Sequence, residues 1–236
     1  MKREYGRAVF RAAVIVSVLV ITIGLAACAE EVEVKMGVTD AGRLTRGEVE
    51  EMSLHEQFDL FGERRARAEQ LITDVQLQVS SGEWFWGSGL TLPHTGSTAR
   101  NGLPGANGEN SYHFSIARMI QPQGAVGARD DIDPVVSYFK SQGWEVSFNE
   151  VRENFYEALA DTGDGYVLEY VVRPTGNYSL EVSSYLFWGD YKGLLHAIAD
   201  RVPDEKLGIK KSLPGIFIPF PEWSDPVVEY DPFADL

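Results

Sequence analysis

Residues 166–186 read YVLEYVVRPTGNYSLEVSSYL and contain the two clearest strand segments of the chain. Residues 166–173 and 178–186 are rich in β-branched and aromatic side chains, which favour extended backbone. The PTGN between them, residues 174–177, supplies the residue types that form tight turns. This stretch therefore predicts a β-hairpin, which requires an antiparallel pair of strands.

Further strands are predicted on both sides of the hairpin. The DTGDG at residues 161–165 predicts a turn directly before it, because aspartate and glycine are ordinary turn residues. Alternation of apolar and polar residues, or a short aromatic run, predicts the remaining strands. These strands are expected at residues 83–86, 111–120, 144–148 and 155–160.

Two helices are predicted ahead of the hairpin. Ser53 and Glu56 have the spacing of a capping box, and apolar residues then recur every three or four positions up to Val79. Gly62 lies inside this helix and weakens it by about 1 kcal/mol relative to alanine. A second, shorter helix starts at Pro134 behind three aspartates and ends at Gly143. Residues 191–201 indicate a third short helix.

The order of these elements predicts an α+β fold. A helix precedes two strands, a second helix follows, and a meander of three or four strands completes the domain. We expect a two-layer sandwich with an antiparallel or mixed sheet. The long N-terminal amphipathic helix and the second helix then pack on one face of that sheet.

The N-terminus has the three parts of an export signal. Four basic residues precede the uncharged apolar run AAVIVSVLVITIG at residues 12–24, which is short for a membrane-spanning helix. Leu25-Ala26-Ala27-Cys28 follows and resembles the lipobox of bacterial lipoproteins. That resemblance implies cleavage before Cys28 and acyl chains on this residue, and two or more such chains anchor a protein stably to a membrane.

The sequence divides into four regions. Residues 1–27 are interpreted as the lipoprotein signal peptide, and residues 28–52, which are charged and contain three glycines, as a flexible tether, with Arg46 as an alternative start of the domain. The α+β domain is expected at residues 53–201. Residues 202–236 form a Pro-rich acidic tail that is predicted to lack regular structure, although its aromatic residues suit packing onto the domain.

Composition limits the possible partners and chemistry. The chain has a formal net charge of −14; residues 1–27 contribute +3 (four basic, one acidic), so the remainder carries −17. Such acidity disfavours nucleic acid and anionic membrane surfaces as partners. Cys28 is the only cysteine, so the domain has no disulfide and no thiol nucleophile.

Candidate binding residues flank the Gly-rich segment 87–110. Trp84 and Trp86 share one side of a predicted strand, and either this pair or Glu83 and Phe85 faces solvent. The possible ligand-binding residues of the chain are Trp84, Trp86, His94 and His113. The alternative is that the tryptophans belong to the core and the two histidines are separate surface residues.

The sequence contains no recognisable catalytic, metal or cofactor motif. No pair of histidines has the spacing of metal ligands, and we expect neither a metal nor a cofactor. Glu150, Glu153 and Glu157 are available as a carboxylate site, which keeps a hydrolase acting on envelope material as an alternative to a non-catalytic protein.

Three stretches together resemble the LppA-like lipoproteins of actinobacteria. They are the lipobox at Cys28, the helix EQFDLFGERRARAEQLITDV at 56–75 with Trp84–Trp86 behind it, and WEVSFNEVRENFYEALADTGDGYVLEYVV at 144–172. The resemblance implies a surface lipoprotein without an assigned activity, and it assigns no catalytic residue. The acidic Pro-rich end has no counterpart in that pattern.

We therefore expect a protein attached to the extracytoplasmic face of the cell membrane through Cys28. Its expected role is that of a binding or accessory module, with an envelope protein or a glycan as its partner. The alternatives are the carboxylate hydrolase and a purely structural surface protein.

Cys28→Ala tests the anchor. Without a thiol to receive the acyl chains, the protein is expected to leave the membrane fraction or to accumulate in its unprocessed, larger form. Cell fractionation with immunoblotting measures both properties. A membrane fraction and a size that stay unchanged in the variant would refute lipidation at this residue.

Overall fold

The computed structural model describes residues 37–96 and 102–228, and the predicted signal peptide and Cys28 lie outside this part of the chain. Four helices are present in it: α1 Arg46–Glu50, α2 Leu54–Val79, α3 Asp133–Ser141 and α4 Tyr191–Ala199. Ten strands accompany them: β1 Trp84–Trp86, β2 His94–Thr95, β3 Ser111–His113, β4 Ser115–Ile120, β5 Glu145–Arg152, β6 Phe155–Asp161, β7 Tyr166–Val172, β8 Tyr178–Ser184, β9 Phe187–Trp188 and β10 Lys211–Ser212.

The predicted α+β class is confirmed, and the sheet is antiparallel. Seven strands form the main sheet in the order β10-β1-β4-β8-β7-β6-β5. The expected hairpin is β7 and β8, which pair from Tyr166 with Ser184 to Val172 with Tyr178. A second sheet of three strands, β2-β3-β9, was not predicted.

The hydrophobic core lies between the main sheet and the helices. α2 contacts β4 and β8 as well as α3 and α4, whereas α3 contacts β5 and β6. Alternate residues of β7 and β8, such as Leu168 and Leu180, are fully buried, as are Phe61, Leu71 and Ile72 of α2. This alternation along the strands is what the sequence showed, and it selects the face that the helices cover.

Local signals set the ends of the helices. The capping box at the start of α2 is present, because Ser53 Oγ accepts from the Glu56 N–H while the Glu56 carboxylate accepts from the Ser53 N–H. α3 carries Pro134 in its first turn and is followed by Gly143, whose φ is +74°.

The segment predicted as one strand at residues 111–120 divides between the two sheets. The division falls at Phe114, whose N–H donates to Ser184 Oγ at 3.0 Å and whose carbonyl accepts from the Ser184 N–H at 2.9 Å. β3 therefore joins the small sheet and β4 the main sheet. Alternation alone does not reveal such a change of sheet, because it continues across the break.

The prediction of a flexible tether at residues 28–52 is wrong for residues 37–52, which form ordered contacts with the domain. Thr39 forms a β-bridge with Thr45, and Thr45 then caps α1 through a capping box with Glu48. The Asp40 carboxylate is buried, accepts the N–H groups of Leu44 and Trp188, and pairs with Arg64 at 3.2 Å. These non-local contacts attach the segment to the domain, and a compact unit begins at Gly37.

The C-terminal tail is also more regular than predicted. β10 pairs with β1 at the edge of the main sheet, so residues of the expected irregular tail extend the fold. Phe217, Phe220 and Trp223 are half-buried against the core, as their aromatic character suggested. The end of the tail, residues 229–236, lies outside the described residues.

The C-terminal tail explains why a glycine occupies position 62 in the middle of α2. An alanine Cβ at position 62 would lie 2.8 and 2.9 Å from two atoms of the Phe220 ring. The helix therefore accepts a residue of poor helical propensity because the ring of Phe220 occupies the space beside it.

Gly62→Ala is predicted to destabilise the protein by about 1 to 3 kcal/mol, because the added methyl group overpacks the contact with Phe220. In the Phe220→Ala background the same substitution should instead stabilise by about 1 kcal/mol, the ordinary preference of a helix for alanine. Urea unfolding of the full chain measures both free energies. Stabilisation by Gly62→Ala in both backgrounds would contradict the packing described here.

Candidate functional site

The two tryptophans proposed as ligand contacts point toward the interior. Trp84 is fully buried, and its indole N–H donates to the Ser80 carbonyl at 3.1 Å. Trp86 is half-buried, donates its indole N–H to Ser212 Oγ at 2.8 Å and lies 4.2 Å from the Arg118 guanidinium. Phe85 is the outward residue of β1, with 53% of its surface exposed. Trp84 is therefore a core residue, whereas Trp86 joins β1 to the tail.

The two histidines do converge, as one reading of the sequence suggested. His94 on β2 is directly opposite His113 on β3, and their ring centroids are 5.7 Å apart. Burial lowers the pKa of His113, and the charge of His94 lowers it further. In the part of the chain that the structure describes, no group of three or more His, Cys, Asp and Glu side chains is placed to hold a metal.

The four candidate residues do not form one site. Trp86 lines a cavity of about 380 Å³ with Phe85, Met119 and Lys210, and neither histidine borders it. The tryptophans lie in the main sheet and the histidines in the small sheet. The separation arises because the change of sheet at Phe114 directs β3 away from β1.

The three glutamates considered for a hydrolase are also separated. Glu157 of β6 is directly opposite Asn149, whose amide donates to it at 3.3 Å, whereas Glu150 is opposite Tyr156. Neighbouring residues of a strand point to opposite faces, so Glu150 and Glu157 lie on different sides of the sheet. Glu153 belongs to the turn between β5 and β6. This placement does not support a shared carboxylate site.

A buried charged cluster lies under the tail. The Arg65 guanidinium pairs with the Glu69 carboxylate at 2.6 Å and donates to the Ile218 carbonyl. Burial raises the pKa of Glu69, and it lowers the pKa of the nearby Arg118 to about 10. The Phe217 ring covers Arg118, with its centroid 5.0 Å from the guanidinium. We assign this cluster a structural role, because it fastens the tail to α2.

A partly open cavity with both polar and apolar walls lies where four segments meet. It has a volume of about 270 Å³ and lies between α1, the turn residues 109–110, Gln57 of α2, and residues 188–190. Glu50, Glu109 and Asp190 supply carboxylates to its walls, and Arg46 supplies a cation. We call it the Gln57 cavity.

The Gln57 side chain connects the walls of this cavity. Its amide nitrogen donates to the carbonyls of Val49 and Met52, both at 3.3 Å, and its amide oxygen accepts from the Asp190 N–H at 2.8 Å. The Asp190 carboxylate in turn caps α4 by accepting the Gly193 N–H at 2.9 Å. One buried amide therefore fixes α1 and the start of α4 relative to α2.

The third wall of the Gln57 cavity is held in the same manner. The carbonyl of Asn110 accepts from the Gly189 N–H at 3.0 Å, and the carbonyl of Glu109 accepts from the Tyr191 N–H at 3.3 Å. The Asn107 side chain accepts the N–H groups of residues 109 and 110. The walls of the cavity are thus held by backbone and side-chain hydrogen bonds within the chain itself.

The walls combine polar acceptors with two apolar side chains. Val49 and Trp188 are buried beside the carboxylates, and the indole N–H of Trp188 donates to the Val38 carbonyl at 3.3 Å. Among the described residues that line the cavity there is no serine, cysteine or histidine that would serve as a nucleophile. Carboxylate acceptors, an arginine donor and an aromatic side chain suit a ligand with several hydroxyl groups.

The residues of this cavity were missed in the sequence, although two of them left signals. Gln57 is a polar residue three positions after Leu54 and four before Phe61, which places it on an apolar side of α2 and indicates a buried hydrogen-bonding role. Asp190 directly precedes the predicted helix at 191–201, as an N-cap residue does. Neither signal predicts that the two residues meet.

Comparison of the chain with protein-family models, curated proteins and solved structures found no match. Within residues 37–96 and 102–228, no helix combines the length and apolar character needed to cross a membrane.

We predict that the His113 imidazole titrates below the ordinary histidine pKa of about 6.5, because burial and His94 both disfavour its charged form. Since the unfolded chain binds this proton more readily, the stability contributed by neutral His113 is present above about pH 6.5 and is lost as the pH falls through the folded pKa. NMR titration of the imidazole signals measures the pKa directly.

His94→Gln should raise the pKa of His113 while leaving it below the ordinary value, since burial remains. His196→Gln, which alters an exposed histidine of α4, serves as the matched control and should leave the pKa of His113 unchanged. An unchanged pKa in His94→Gln would show that the two rings do not interact.

Proposed function

We propose that this chain is a lipid-anchored extracytoplasmic binding module of the cell envelope, with the Gln57 cavity as its ligand site. The lipobox at Cys28 supports both the extracytoplasmic location and the attachment to the membrane through acyl chains. The observation that carries the binding role is the triple hydrogen bonding of the buried Gln57 amide, which organises the cavity without a ligand. Such preorganisation lowers the entropic cost of binding.

The ligand class that we propose for this cavity is a saccharide unit of an envelope glycan. A volume of about 270 Å³ is slightly below the range of about 300 to 1,000 Å³ for small-molecule sites, so the cavity suits one sugar unit. Arg46 pairs with Glu50 at 2.6 Å, Glu109 lies 3.7 Å from Lys192, and Asp190 accepts the Gly193 N–H. The remaining lone pairs of these three carboxylates would accept hydrogen bonds from sugar hydroxyls, and the remaining N–H groups of Arg46 would donate to a ring or hydroxyl oxygen.

The test is calorimetric titration of the full chain in nonionic detergent with N-acetylglucosamine and mannose oligosaccharides. Binding of one of the two series is expected. Glu109→Gln should weaken it by about tenfold, because a hydrogen bond to a charged acceptor contributes about 1.5 to 3 kcal/mol and the variant retains a neutral acceptor.

Glu205→Gln is the matched control, because it removes the same charge from an exposed position in the turn at Asp204–Lys206. It is expected to leave saccharide affinity unchanged. Failure of both oligosaccharide series to bind, or equal affinity of the wild type and Glu109→Gln, would overturn the assignment of this cavity.

A further inference from the structure

A second concave surface lies on the other side of the beginning of α2. It has a volume of about 600 Å³ and runs between the first turns of α2 and residues 220–224 of the tail. Its floor consists of Phe58, Phe220 and Trp223, and its rim carries Asp59, Glu63 and Glu222. We call this surface the acidic groove.

The floor of the acidic groove is held rigidly. The Phe58 ring packs on Phe220 with 4.7 Å between centroids and meets the edge of Trp223 at 5.3 Å. The Arg201 guanidinium donates to the Trp223 carbonyl at 3.1 Å and lies 4.6 Å from the centre of its ring. These contacts attach the tail to α2 and to the turn after α4, and the half-buried Phe220 and Trp223 line the groove.

The rim gives the groove its charge. Among the described residues that line it there are three carboxylates and neither lysine nor arginine. His55 stacks on Trp223 at 4.7 Å between centroids and lies 3.5 Å from the Asp59 carboxylate. The groove is therefore negative around an aromatic floor, and the net charge of −14 on the whole chain reinforces this potential.

Aromatic faces bordered by carboxylates are complementary to organic cations. The negative face of a ring attracts a guanidinium or ammonium group, and each carboxylate adds a charge-assisted hydrogen bond. A neutral apolar segment would remove the three rim carboxylates from water without supplying a cation, which costs free energy. An anionic lipid surface would be repelled by the same charges.

We propose that the acidic groove binds an extended segment of a partner protein that carries arginine or lysine side chains between apolar residues. The cationic groups lie against the rim carboxylates, and the apolar residues cover Phe220 and the base of the groove. This interaction surface is independent of the Gln57 cavity, because no residue lines both.

The test uses the full chain in nonionic detergent and a short fluorescein-labelled peptide in which arginine and leucine alternate. The reference peptide has citrulline, the neutral isostere, in place of each arginine. Fluorescence anisotropy is expected to show saturable binding of the arginine peptide and at least about tenfold weaker binding of the citrulline peptide.

The double variant Glu63→Gln/Glu222→Gln is expected to bind the arginine peptide about tenfold more weakly, as the loss of two exposed charge pairs implies. Both side chains are exposed, so the fold should persist, and thermal unfolding checks this. The matched control is Glu150→Gln/Glu153→Gln, which removes the same charge from the exposed β5–β6 hairpin and should leave the affinity unchanged.

Three outcomes would overturn the proposal. The first is absence of saturable binding of the arginine peptide, and the second is equal affinity for the citrulline peptide, which would indicate a groove for neutral segments. The third is equal weakening by the two double variants, which would show attraction by overall charge alone.

Discussion

The ion pair between Asp40 and Arg64 is the interaction on which the remaining architecture depends. Its carboxylate is fully buried, and its guanidinium is 7% exposed. Arg64 also donates to the Tyr112 hydroxyl at 2.8 Å and lies 3.9 Å from the centre of the Phe187 ring. One charged pair thereby connects the N-terminal segment, α2 and two strands of the small sheet. Removing one partner of such a pair leaves an uncompensated buried charge, at a cost of about 3 to 5 kcal/mol.

The Gln57 cavity depends on this ion pair through the segment that it anchors. Asp40 accepts the Leu44 and Trp188 N–H groups, so it holds both the approach to α1 and a wall of the cavity. Gly42 permits the arrangement, because a Cβ there would lie 2.7 Å from the Arg64 guanidinium. The segment expected to be a tether is therefore a structural part of the domain, held by the Asp40–Arg64 ion pair, by hydrogen bonds to backbone N–H groups and by the packing of Val49 and Leu44 with Leu186 and Trp188.

The sequence predicted those parts of the fold whose signals are local. The capping box of α2, the hairpin of β7 and β8, and the glycine after α3 each involve residues a few positions apart, and the structure contains all three. Asp40 in a charged, glycine-containing segment carries no such signal, because its partners Arg64 and Trp188 are distant in sequence. Gly62 is a second example. Helix propensity alone treats this glycine as destabilising, whereas the structure shows that it makes room for the ring of Phe220.

Both proposed sites are built around the first turns of α2, which explains why neither was recognisable in the sequence. Gln57 and Phe58 are consecutive residues, and successive positions of a helix point about 100° apart. The first residue therefore faces α1 and the start of α4, whereas the second faces the tail. The helix itself is specified locally by Ser53 and Glu56, but each site needs a segment from elsewhere in the chain to complete it. The position of α2 is consequently the feature that sets the geometry of both surfaces at once.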